Sequence, residues 1–111
     1  MIHIIRQEAT QEQIDEMREE LDPIIKLAVD IQRQILAGGG EMHADCETVL
    51  IEDGSDQQNI WGANWIPSKQ TIEFEALINI RPKQKNISME IQDPIIKQQV
   101  ETIVRKLLEV V

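Results

Sequence analysis

Residues Lys26–Gly40 read KLAVDIQRQILAGGG, and the fold class turns on whether this stretch is extended or helical. As a strand it alternates: Leu27, Val29, Ile31 and Ile35 face one way and Lys26, Asp30, Gln32 and Gln34 the other, with Arg33 alone out of pattern. As a helix it has Asp22 for an N-cap, Pro23 in the first turn, a stripe of Ile24, Leu27, Ala28, Ile31 and Ile35, and a glycine stop. Both readings stand for residues 23–37. The strand is preferred because β-branched residues are enriched and a glycine-rich turn leads into a second strand-like run, HADCETVLIED (43–53).

Working outward, IHII (2–5) reads as a short edge strand. ATQEQIDEMREELD (9–22) reads as a helix with Thr10 as N-cap and Gln13 completing a capping box, and its apolar stripe is Ile14, Met17 and Leu21. Glu12, Glu16, Glu19 and Glu20 form the solvated face. NIWGANWI (59–66) and TIEFEALINIRP (71–82) are the next strands, the second with Ile72, Phe74, Ala76, Ile78 and Ile80 on one side. RPKQKNISMEIQ (81–92) is a polar loop, and Asp93-Pro94 opens a final helix whose stripe is Ile96, Val100, Ile103, Val104, Leu107 and Leu108. The expectation is one α+β domain over residues 1–111: an antiparallel sheet of about four or five strands with two helices packed on one face.

Twenty acids against eleven bases give a net charge of −9, and no Lys or Arg lies between Gln34 and Ser68. A chain of this sign repels a phosphate backbone, so direct nucleic-acid binding is not expected. A single cysteine allows no internal disulfide, MIHIIRQEAT lacks an export signal's apolar run, and no segment approaches the ~18 apolar residues of a membrane span. The reading is a cytoplasmic protein away from membranes, which makes the Asn86-Ile87-Ser88 glycosylation pattern a chance match.

Chemistry is sought first in GGGEMHADCE (38–47). On a strand His43, Asp45 and Glu47 share a side, and two of them with a third ligand from a neighbouring strand, Asp30 or Asn64, form a candidate site for zinc, manganese or iron. No His-Glu-x-x-His or paired Cys-x-x-Cys supports it, and the competing reading is an exposed polar face after a hairpin turn; no cofactor is predicted outright. Cys46 lies on the opposite strand face from His43 and reads as a small buried thiol. Glu41, where a phosphate loop needs a lysine, removes that reading. From Asp53 the loop places Gln58 and Asn64 where a calcium loop needs Gly and Glu. Arg81 is a candidate clamp for a carboxylate ligand or the partner of a neighbouring Glu. Trp61 and Trp65 share a strand face and are candidates for a subunit interface.

In order, ILAGGGEMHADCE, EDGS, NIWGANW, LINIRP and NISMEIQDP resemble an uncharacterised prokaryotic family known only as a domain of unknown function, over nearly the whole chain from about Ile25. The resemblance implies no activity, ligand or functional residue. Two functions are therefore carried. The first is a non-enzymatic module that self-associates, as a dimer, or binds a protein partner through a sheet edge or the Trp61/Trp65 face. The second is a metal-dependent enzyme or small-ligand binder around His43, Asp45 and Glu47, with Asn64 or Arg81; whether the chain is an enzyme stays open. A convergent polar pocket favours the second, and a flat tryptophan-bearing patch the first.

Overall fold

The computed structural model describes residues 1–110, and in it the deciding stretch is extended but folded back on itself. Ile25–Asp30 (β2) and Ile35–Gly38 (β3) pair antiparallel from Leu27↔Gly38 to Asp30↔Ile35. Ile31–Gln34 between them carries none of the usual turn residues. The Asp30 carboxylate supplies the turn instead, its Oδ1 accepting the N–H groups of Gln32 (2.9 Å) and Arg33 (3.0 Å), while Gln34 takes the left-handed conformation at φ 58°. Reversal sends Ile35 to the sheet face opposite Leu27 and Val29, so the single alternating strand is corrected to a hairpin.

Five strands form one antiparallel sheet in the order β1-β3-β2-β4-β5, where β1 is His3–Ile5, β4 is Ile60–Ile66 and β5 is Thr71–Glu73. Two helices, Gln11–Arg18 (α1) and Pro94–Leu108 (α3), cover the face that carries Leu27, Val29, Leu36 and Trp65. Both begin as their sequences dictate. Thr10 and Gln13 make the reciprocal capping box, and Asp93 accepts the Ile95 N–H at 2.8 Å ahead of Pro94.

A third helix, His43–Glu52 (α2), covers the other face, so the sheet is buried on both sides at β2 and β3. This corrects the strand expected at HADCETVLIED. Cys46 and Leu50, one turn apart, pack on Ala28, Ile35, Ala37 and Ile60; the alanines give α2 a shallow floor. The glycines before α2 do not close a hairpin. Gly39 has φ +103°, and a Cβ there would strike the Met1 carbonyl, so only glycine lets the chain leave β3 for α2 under the N-terminal segment.

TIEFEALINIRP is a strand only as far as Glu73. Past it the segment lifts over β4 at Gly62, where any Cβ would collide with Ala76. The ladder is replaced by one side chain: buried Asn79 accepts the Gly62 N–H at Oδ1 (2.7 Å) and donates Nδ2 to the Gly62 carbonyl (3.0 Å) and the Met89 carbonyl (2.9 Å). Short turns at Leu77–Asn79 and Pro82–Gln84 follow. Buried Asn86 ties the returning chain, donating to the carbonyls of Asn79 (2.8 Å), Ser88 (2.9 Å) and Glu90 (3.0 Å). No helix of the described residues is long and apolar enough to cross a membrane.

Candidate functional site

His43 opens α2 and reaches across to β4. Its Nε2 lies 2.7 Å from Asn64 Oδ1 and 3.1 Å from the Ala63 carbonyl, and Asn64 Nδ2 donates to the Glu75 carbonyl at 3.3 Å, which orients the amide. Both partners of Nε2 are acceptors, so Nε2 carries the proton and Nδ1 is left as the basic lone pair. Burial pushes the His43 pKa below its ordinary 6.5, with nearby Lys26 adding to the shift against the bonds to Asn64 and Ala63. The ring is therefore a neutral acceptor at pH 7.

This ring lines a cleft of about 330 Å³ between the start of α2 and the segment that lifts off β4. Lys26 and Asn64 add polar groups, and Met42, Leu77 and Met89 add apolar ones. Lys26 Nζ gives one hydrogen bond, to the Glu41 carbonyl (3.1 Å). Met42 stands at the N-cap of α2 and caps no amide with its side chain, and the Asp45 N–H goes to the Met42 carbonyl (3.1 Å).

The other candidates separate once α2 is a helix. Asp45 sits two residues from His43, on another side of the helix, and is exposed. Glu47, one turn on, is committed to Arg81 (3.1 Å), with side chains 12% and 10% exposed. Arg81 also donates to the carbonyls of Ile78 (2.8 Å) and Gln57 (2.9 Å) and lies over the Trp61 ring at 4.9 Å. It is thus the partner of a Glu that is distant in sequence. Burial raises the Glu47 pKa and lowers that of Arg81, each against its partner's attraction. Asp30 gives Oδ1 to its turn, and its Oδ2 is buried without a hydrogen-bond partner.

Among the described residues no group of three His, Cys, Asp or Glu side chains is placed to hold a metal, so the His43/Asp45/Glu47 set is not assembled. Cys46 is buried, its Sγ 3.6 Å from the Lys26 carbonyl, and burial holds it as the thiol. Trp61 and Trp65 are 1% and 0% exposed within the chain's own core, which corrects the expectation of a tryptophan-bearing interface.

The family model for a protein of unknown function, DUF5674, matches residues 3–107. The chain belongs to that family. Neither curated proteins nor solved structures give a match. Within this DUF5674 chain, sequence reasoning had reached His43 and Asn64 but missed Lys26, Leu77, Met89 and the two buried asparagines. Asn79 had a signal, since an amide stood inside the apolar run LINI; Lys26 and Met89 had none, because only the long-range pairing brings them together.

Proposed function

We propose that the chain is a small-ligand binding protein whose site is the His43 cleft. The observation that carries this reading is the fixed tautomer: Asn64 and Ala63 together hold Nε2–H, leaving Nδ1 as an acceptor beside a cleft with apolar walls. A fitting ligand gives a hydrogen-bond donor to Nδ1, places an anionic or carbonyl oxygen near Lys26, and lays an aliphatic body against Met42, Leu77 and Met89. Methionine walls adapt to differing aliphatic shapes. Covalent catalysis through Cys46 does not suit the geometry, because the thiol is buried and protonated. A cytoplasmic setting is part of the proposal.

N-acetyl-L-leucine is a suitable first probe, having an amide N–H, a carboxylate and a branched apolar body. Titration to several times a Kd of about 1 mM, followed by amide shifts, is expected to move His43, Ala44, Asn64 and Leu77 together. His43→Ala and Lys26→Met should each weaken the response. Shifts scattered over the surface, or unchanged in both variants, would refute the site.

A further inference from the structure

We infer that the ligand of the His43 cleft is a free aliphatic amino acid in its zwitterionic form, with Glu75 selecting the ammonium group; the inference rests on the cleft being a ligand site. Strand register places the charges. Lys26 faces Asn64 across β2 and β4, and Asn64 faces Glu73 of β5, so all three project to the side of Ala28, which α2 covers. Phe74 turns the other way, packing on the core beneath α1 and α3 with Lys97 Nζ 4.9 Å from its ring centroid. Extended chain alternates sides. Glu75, held extended by its antiparallel bridge to Glu90, therefore returns to the α2 side and lines the cleft with Lys26 and His43.

One ammonium and one carboxylate thus border the cleft, and neither is spent on another charge: among the described residues Lys26 and Glu75 enter no ion pair. Lys26 Nζ gives one hydrogen bond, to the Glu41 carbonyl, and keeps two donors for a carboxylate. The Glu75 carboxylate and His43 Nδ1 are acceptors, which suits the three donors of an ammonium. Net charge decides between a zwitterion and an anion. In a chain of net charge −9, with exposed Glu41 and Asp45 flanking Met42 and His43, a ligand carrying only a carboxylate is repelled, whereas a zwitterion is not. Met42, Leu77 and Met89 then receive the aliphatic side chain.

Amide-shift titrations with L-leucine, beside N-acetyl-L-leucine, which keeps the carboxylate and apolar body but has no ammonium, test the assignment. L-leucine is expected to move His43, Ala44, Asn64 and Leu77 with a Kd about tenfold below that of N-acetyl-L-leucine, the difference shrinking at high salt. Glu75→Gln, at an exposed position, should raise the L-leucine Kd about tenfold without weakening N-acetyl-L-leucine, and Lys26→Met should weaken both. N-acetyl-L-leucine binding as tightly as L-leucine would overturn the inference, as would an L-leucine Kd indifferent to Glu75→Gln, and either result leaves the cleft a ligand site. If neither compound moved these amides, the cleft reading itself would fall and this inference with it.

Discussion

Asn79→Ala tests the device that shapes this surface. Removing the amide strands two buried backbone groups, the Gly62 N–H and the Gly62 carbonyl, for which no other hydrogen bond is available where the β4–β5 ladder has ended. The Met89 carbonyl loses one bond but keeps that from the Ala76 N–H (3.0 Å). At about 1–3 kcal/mol for each stranded group, plus a smaller term at Met89, the loss is about 3–5 kcal/mol. A domain of this size gains only about 5–15 kcal/mol from folding, so the variant should melt roughly 12–20 °C lower. Urea unfolding at constant m reads the free energy, and hydrogen exchange at the Gly62 amide reports its cause. Asn79→Asp sharpens the test. It keeps an acceptor for the Gly62 N–H but turns a second oxygen onto two carbonyls, so the buried carboxyl should be held protonated and the variant should recover relative to wild type as pH falls. A loss under about 1 kcal/mol with the Gly62 amide still protected would refute the reasoning.

The Glu47–Arg81 pair should behave as a unit: Glu47→Ala strands a buried guanidinium and is expected to cost about 3–5 kcal/mol, while Glu47→Leu/Arg81→Met should recover most of it, and additive losses in the urea cycle would count against a coupled pair. His43 has a folded pKa below its unfolded 6.5, so the neutral form is favoured on folding. Its contribution is complete above pH 6.5 and is lost as pH falls toward the folded pKa. Wild type should therefore lose stability from pH 8 to pH 5 more steeply than His43→Gln; parallel pH profiles would argue against a buried neutral ring. Cys46, buried and with its pKa raised chiefly by that burial, should react with a thiol reagent only through opening of the fold, orders of magnitude more slowly than in denaturant, and fast labelling of the native chain would contradict its placement.

Legibility in the sequence followed the range of the interaction responsible. Thr10, Asp93 and Pro94 act within one turn, and the helices they start begin where their spacing puts them, although α1 stops at Arg18 and leaves Leu21 of the expected stripe in a turn. The extended reading of residues 23–37 also held, on β-branched content. What failed was long-range. HADCETVLIED alternates well enough for a strand, yet it forms α2 because the sheet's second face offers Ala28, Ala37 and Ile60 to cover, a demand no local window contains. The metal set on His43, Asp45 and Glu47 was drawn for a strand; on the helix Asp45 turns away, and Glu47, still on the side of His43, is taken by Arg81.

Gly62 joins the fold to the site. A side chain there would hold the 75–79 segment off the sheet; without one, Ala76 descends onto β4 and Asn79 reaches the strand's backbone. Because Asn79 then supplies the ladder bonds, the segment need not continue as a strand, and Leu77 and Ile78 are released to wall the cleft opposite Met42 and His43. Asn64, one residue pair along the same strand face, remains free to hold His43 for want of a bulky neighbour. The same substitution of a side chain for a strand thus sets both the tautomer-fixing contact and the outward apolar display. The His43 cleft and the exposed apolar side chains of this segment consequently share Met42, Leu77 and Met89, so a change at Gly62 or Asn79 should disturb both together.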